Sequence, residues 1–355
     1  HWLAWEEPLP FARLVGDFDA RGRRQRIEIT LVYANNDGSG GPRLRKEVRI
    51  NGVTRRALDL VGQMPAVLFL PQDIELVAGS PGVRRRYLDI ALCQMQGDYC
   101  RALSAYNRVL QQRNALLKAL RERSGSRDQL AFWDSQLVDH GSLIVARRAG
   151  FIADLEFEAN QRQQALTGGQ ERLHVRYVPS LDPEPVGANR ETAASETGDE
   201  PELGWLEEPS PVYLSADPLA IGQAFHDELL RTREREIAAG MTLTGPHRDD
   251  VQFVTQGRDL RTYGSRGQQR TTALSVKLAE VALMQQALSA PPLLLLDDVM
   301  SELDSHRRSF LLRALEDVQQ ALVTTTDWED FTQEFRGQAR CLCVVNGRIE
   351  RLAVA

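Results

Sequence analysis

The residues best placed to do chemistry lie near the C-terminal end of the chain. Pro291-Pro292-Leu293-Leu294-Leu295-Leu296-Asp297-Asp298 is a run of four leucines that stops abruptly at two carboxylates. A parallel strand buried on both faces reads as a continuous apolar run, and ligands of such sheets sit just beyond the strands' C-terminal ends. An acid there can hold a magnesium ion against phosphate oxygens, and a second acid beside it can orient a water. Taken alone, the same letters also describe a buried strand followed by a helix cap. Ser301-Glu302-Leu303-Asp304 follows at once. Upstream, Tyr263-Gly264-Ser265-Arg266-Gly267-Gln268-Gln269-Arg270-Thr271 leads into an apolar helix through Leu274, Leu278 and Leu283. Backbone N–H groups at a Gly/Ser-rich helix start favour phosphate oxygens, although such a turn is equally common as a plain cap.

Elements able to position these groups are visible in the periodicity. Alternation in Arg26–Tyr33 and Glu47–Gly52, with the turn 35–42 rich in Asn, Gly and Pro, predicts antiparallel strands over residues 11 to 60. Ala66-Val67-Leu68-Phe69-Leu70 reads as a short buried strand that stops at Pro71. From Val83 to about Lys118 apolar residues recur three and four apart, and two further helices are expected at about 128–146 and 147–167. A strand at Leu173–Val178, a helix at about 216–238 and a closing hairpin around Asn346-Gly347 complete the pattern. The expected fold is α/β: a mixed-sheet head built from 1–82 and 239–355, with a mainly helical arm inserted at 83–238. Residues 182–211, rich in Pro, Glu, Ser, Thr and Gly, read as a flexible acidic insertion in that arm.

The net charge of −6 argues against a nucleic-acid partner until its distribution is considered. Between Asp182 and Glu208 nine acids face one base, Arg190, which leaves the rest of the chain at about +2. Arginines cluster at Arg21-Arg23-Arg24-Arg26, from Arg43 to Arg56, and at Arg84-Arg85-Arg86. Such clusters suit phosphate backbones and also suit a solvated surface. The four cysteines lack zinc spacing and read as reduced core thiols of a cytoplasmic protein. No run approaches the ~18–20 apolar residues of a membrane span, so no membrane association is expected.

Ser-x-Gly-Gln-Gln-Arg, an apolar helix, Leu-Leu-Leu-Leu-Asp-Asp and Ser-Glu-Leu-Asp follow the order of signature, Walker B and D-loop in ABC-type P-loop NTPase heads. Over nearly its whole length the chain resembles the RecF family of bacterial recombination mediators. The resemblance rests on Leu68–Ile74, on Gly79-Ser80-Pro81 with Arg85–Asp89, on Tyr106–Asn114, on Leu243–Asp250, and on the signature and Leu295–Asp304 stretches. It implies that Asp297 binds Mg2+ and that Asp298 is the catalytic or water-positioning carboxylate. Ser265, Gly267 and Gln268 would touch ATP held by a partner subunit, and Ser301 and Asp304 would form the D-loop. Gln72 or Asp73 falls at the Q-loop, and Thr325 and Asp327 in the switch region. Arg266 stands where the family usually has Gln. Arg45, Lys46, Arg55, Arg56, Arg84 and Arg85 are the candidates for DNA contact. The resemblance further implies ATP-dependent homodimerisation, binding to double-stranded DNA at single-strand gap junctions, cooperation with RecR in loading RecA, and roles in replication and the SOS response.

One component is missing. A phosphate-cradling loop needs G-x-x-x-x-G-K-[ST], and the three lysines Lys46, Lys118 and Lys277 follow Arg45, Leu117 and Val276. The simplest account places that loop before His1. Two rivals remain open: an SMC- or Rad50-like ATPase, for which the arm is too short and interrupted, and a non-catalytic DNA-binding scaffold that has lost its ATP site.

Overall fold

The computed structural model describes residues 11–20, 22–34, 43–181, 217–316 and 318–351. The expected turn at 35–42 and the acidic insertion at 182–211 lie outside them. Four antiparallel strands open the chain: β1 (Phe11–Ala20), β2 (Arg23–Ala34), β3 (Arg43–Ile50) and β4 (Val53–Arg55), in that spatial order. Strand alternation sorts their faces. Leu14, Ile29 and Val48 stand in register on one side, and Val15, Glu28 and Arg49 on the other.

The parallel sheet carries the Asp297-Asp298 pair. Its order is β10-β9-β5, from β5 (Ala66–Phe69), β9 (Leu293–Asp297) and β10 (Ala321–Thr324). Val67 and Leu294 are register partners, as are Phe69 and Leu296, and all four are buried. The opposite face shows Leu68, Leu295 and Leu322 side by side, with Leu68 43% and Leu322 52% exposed. The four-leucine run therefore marks a strand covered on only one of its faces among the described residues.

Helix α1 (Pro81–Met95) and helix α2 (Gly97–Arg121) replace the single helix expected from Val83 to Lys118. Gln96 breaks the run with extended backbone and serves as C-cap of one helix and N-cap of the next. The reverse correction applies further on, where one 38-residue helix, α3 (Gln129–Leu166), replaces the two expected around residue 147. At about 1.5 Å per residue it spans roughly 57 Å. Its two glycines do not stop it. Gly141 is required by close packing, since a Cβ there would lie 2.6 Å from the Phe225 ring. Gly150 faces open space and costs only about 1 kcal/mol against Ala. Helix α4 (Pro218–Ala239) packs along the first half of α3, and helix α5 (Arg266–Leu288) packs along the second half and under β5. The antiparallel sheet of β6 (Leu173–Val178), β7 (Asp250–Thr255) and β8 (Arg258–Asp259) lies between arm and head elements. Helix α6 (Ser305–Glu316) follows β9, and β11 (Leu342–Val345) and β12 (Arg348–Arg351) form the closing hairpin. Its turn residues Asn346 and Gly347 have φ of 49° and 76°, as a type I′ turn requires.

Buried charges fasten these elements. Arg113 of α2 is fully buried and donates to Asp134 of α3 and Glu236 of α4, each at 2.7 Å, and to the Thr242 hydroxyl at 2.8 Å. Arg148 of α3 donates to Asp89 at 2.8 Å, to the Tyr99 hydroxyl at 3.0 Å and to the Pro246 carbonyl at 2.6 Å. It also meets Asp249, which accepts from the Tyr177 hydroxyl and the Ser180 N–H. Beside this cluster the His247 ring is held by the Tyr106 hydroxyl at Nδ1, 2.7 Å, and by the Thr242 carbonyl at Nε2, 3.3 Å. That pair of contacts assigns the neutral tautomer with the proton on Nε2. Burial pushes the imidazole down to about 4.

Removing one member of a buried charge group leaves its partners uncompensated. Arg113→Met should therefore lower unfolding stability by about 3–5 kcal/mol, read from the urea midpoint; a loss under about 1 kcal/mol would show that the cluster is not buried in solution. His247 supplies a pH test. Its folded pKa lies below the unfolded value, so between about 6.5 and about 4 the unfolded chain takes up a proton that the folded chain refuses. Stability from this group falls as pH falls through that window, by on the order of 3 kcal/mol. His247→Asn should flatten that part of the curve, and NMR should find the ring titrating near 4 and not near 6.5.

Candidate nucleotide site

The C-terminal ends of the parallel strands bring the two carboxylates to one rim. Asp297 ends β9 and is exposed. Its Oδ1 accepts from the Thr324 hydroxyl at 2.8 Å, at the end of the neighbouring β10. That same hydroxyl accepts from the Asp298 N–H at 3.1 Å. Thr324 therefore contacts both acids, whereas the sequence singled out Thr325 and Asp327 as the switch candidates in this stretch. The available signal was the register: Thr324 pairs with Asp297 when the two apolar runs are aligned end to end. Thr325, the switch candidate, instead bonds Asp330 and the Asp327 carbonyl, while Asp327 caps the short turn Trp328–Asp330.

Asp298 has φ of +49°, a left-handed conformation that a non-glycine residue adopts at a cost of about 1 kcal/mol or more. Its Oδ1 is buried and has no hydrogen-bond partner among the described residues. A strained residue with an idle carboxylate oxygen is a feature that folding alone does not favour. After it the chain turns through Met300–Glu302, where the Ser301 hydroxyl donates to the Asp298 carbonyl at 2.9 Å. Asp304 then starts α6: it accepts from the Arg307 N–H and its guanidinium, and the Arg307 N–H is the main cause holding its carboxyl below the usual range.

The Ser265 turn is a capping box. The Ser265 hydroxyl accepts from the Gln268 N–H at 3.2 Å, and the Gln268 side-chain oxygen accepts from the Ser265 N–H at 2.9 Å. Gln268 also donates to Glu171 at 2.9 Å. Ser265 and Arg266 are exposed, so the turn presents outward and not into its own subunit. A Cβ at Gly267 would meet nothing closer than the Ser265 hydroxyl at 3.8 Å. Packing within the chain does not demand a glycine there.

The Q-loop pair is divided by the turn it forms. Asp73 accepts from the Leu70 N–H at 2.8 Å, and burial pushes its carboxyl upward. Gln72 is exposed. Helix α5 runs beneath this turn, with the Lys277 ammonium 2.6 Å from Glu280 and over the rings of Phe69 and Tyr87. Lys277 is thus a buried structural cation and offers no substitute for a phosphate-clamping lysine.

The basic candidates are likewise sorted. Arg45, Lys46, Arg55 and Arg56 are exposed, with Arg45 and Lys46 on opposite sides of β3. Arg84 is 2% exposed; it makes a two-point ion pair with Asp250 at 2.7 and 2.9 Å and donates to the Gly79 carbonyl at 2.8 Å. Its position is an interior staple, which removes it from the surface expected for a DNA contact. Arg85 is half-buried and donates to the Asp249 carbonyl at 2.7 Å.

Mg2+ binds through one or two carboxylates together with substrate phosphates and waters, not through a full protein cage. The exposed Asp297 with its neighbour Asp298 fits that donor set. Among the described residues no group of three or more His, Cys, Asp or Glu side chains could hold a metal by itself. No described helix is long and apolar enough to cross a membrane.

No family model matches the chain. Curated relatives do. The chain is 40% identical over 347 residues to the DNA replication and repair protein RecF of Chloroflexus aurantiacus, covering 96% of this chain and 81% of that one. It is 36% identical over 352 residues to RecF of Shouchella clausii, covering 99% and 84%. A solved structure of the recombination mediator protein RecF-ATP in the RecFOR pathway superposes with a TM-score of 0.76 at 26% identity, covering 98% of this chain and 81% of the other. With its ABC-type head and helical elements in the same arrangement, the chain belongs to the RecF family of DNA replication and repair proteins.

Proposed function

We propose that the rim formed by Asp297, Asp298 and Thr324 is the magnesium and water-activating half of an ATP site used in DNA repair and replication. The observation that carries this reading is the partnerless Asp298 oxygen on strained backbone, one residue beyond an exposed acid at the end of a parallel sheet. Bound Mg2+ would neutralise charge on the β- and γ-phosphates. Asp297 would hold the ion, with Thr324 fixing the carboxylate's direction. Asp298 would accept a hydrogen bond from the attacking water and orient it. Gln72, exposed on its turn, would reach the same edge.

Ser265, Gly267 and Gln268 would act on a second nucleotide. Their exposed helix start favours negative charge, and the open space over Gly267 admits a γ-phosphate held by another copy. Ser301 and Asp304 would then meet the partner between the two sites. This reading makes ATP the bond of a homodimer. Double-stranded DNA beside a gap is the proposed target, with RecR the partner in loading RecA. The similarity to RecF-ATP supports this reading over an ATP-free scaffold.

These 355 residues contain no Gly-Lys pair to clamp the β- and γ-phosphates. They should therefore bind ATP only weakly and release no phosphate above buffer. With Mn2+ and ATP at millimolar concentration, NMR should show paramagnetic broadening at the amides of Asp297, Asp298 and Thr324, lost in Asp297→Asn. Broadening elsewhere with none at this rim would overturn the assignment, and saturable micromolar ATP binding by the chain alone would overturn the expectation of weak binding. DNA affinity should fall with salt in proportion to the phosphates neutralised. Arg45→Ala should reduce that slope by about one on any duplex sequence; an unchanged slope would remove Arg45 from the contact surface.

A further inference from the structure

A cleft of about 680 Å3 opens between α1, the start of α2 and the Pro246-His247 loop. It shares no residue with the carboxylate rim or the signature turn, and its reading does not rest on theirs. Its floor is apolar, built from Val61, Ile90, Cys93, Cys100 and Leu103. Ile90 is 49% and Val61 40% exposed, although each has an apolar wall beside it. The rim is basic. Arg86 is exposed and makes no ion pair among the described residues. Arg85 donates through one nitrogen to the Asp249 carbonyl, and its other Nη lies over Gly82 at the cleft edge.

The remaining polar groups do not cancel this charge. Asp89 is the one acid lining the cleft, and its Oδ1 already accepts from Tyr99 and Arg148. Arg148 is spent on Asp89, Asp249 and Pro246. His247 is neutral above about 4, so it adds no charge at neutral pH. An adjoining cavity of about 280 Å3 shares Val61, Cys93 and Cys100 and adds the exposed Arg101, with Arg56 beside Asp59.

A DNA duplex suits this surface poorly. Phosphate backbones are met by exposed cations spread along a rod, and they offer nothing apolar to fill a concave floor. Protein interfaces combine an apolar anchor in a desolvated pocket with a charged rim that steers the approach. The geometry points to a docking site for an acidic segment of a partner protein: one aliphatic or aromatic side chain seated over Val61 and Ile90, flanked by Asp or Glu facing Arg85, Arg86 and Arg101.

The test titrates the blocked hexapeptide Asp-Glu-Leu-Phe-Glu-Asp into the protein by calorimetry, beside a control peptide with Lys at every acid. The acidic peptide should bind and the control should not. Arg86→Glu and Ile90→Glu, both at exposed positions of α1, should each weaken binding by about tenfold, with circular dichroism and affinity for a short duplex unchanged. The proposal falls if the acidic peptide does not bind at millimolar concentration, or if its affinity is the same in both variants. It falls also if the variants weaken the duplex and spare the peptide, which would make the cleft a phosphate-backbone contact.

Discussion

The helical part of the structure is organised by burying one guanidinium in the middle of a 38-residue helix. Arg148 is 2% exposed, and desolvating such a cation costs several kcal/mol unless its donors are satisfied. They are satisfied by four residues from three different parts of the chain: Asp89 of α1, Tyr99 of α2, and Pro246 and Asp249 of the loop before β7. Tyr177 of β6 reaches the same Asp249. No one of these elements can slide along α3 without stranding a buried charge. The second half of α3 is also the surface on which α5 rests, and α5 begins at Ser265. The arginine thereby sets the position of the Ser265 turn from a distance, through a rigid helix and not through any contact with it.

The rim combines two departures in one residue, a buried polar atom without a partner among the described residues and a left-handed backbone. Around Arg148 and Arg113 each buried acid is paired. At Asp298 a carboxylate oxygen is left without a partner, and the backbone is held in a left-handed conformation. Thr324 stabilises that arrangement by accepting from the Asp298 N–H and donating to Asp297. The strain is local, because β9 and β10 remain regular up to their last residues. A rigid sheet that ends in one irregular residue holds two adjacent acids at its rim more firmly than helices or loops alone would.

Parts of this were legible in the letters. The leucine run reads as the central strand of a parallel sheet, and β9 holds that place, although one of its faces is uncovered among the described residues. Helix continuity was harder to read. Arg147-Arg148-Ala149-Gly150 looks like a boundary, since two charges and a glycine interrupt the apolar stripe. Only the fold reveals that Arg148 faces inward to meet partners from distant sequence. The break at Gln96 was hidden for the opposite reason: apolar spacing continues across it, and the extended backbone of one residue leaves no trace in periodicity. Thr324 was not singled out within the switch stretch Thr324–Asp327 because three threonines in a row offer the same hydroxyl, and only strand register places the first of them beside Asp297.

Arginine clusters show why composition alone points to partners poorly. Successive helix residues are about 100° apart, so Arg84-Arg85-Arg86 cannot form one basic face. The fold separates them by direction: Arg84 inward to Asp250, Arg85 half-buried beside Asp249, and Arg86 out to solvent. On β3 the alternation is sharper, and Arg45 and Lys46 part to opposite sides of a sheet. Arginine suits all of these positions because its planar, always charged fork can staple an interior as well as meet an anion at the surface. A run of arginines in a helix therefore predicts at least two environments, and the net charge of the run overstates what any single ligand can meet.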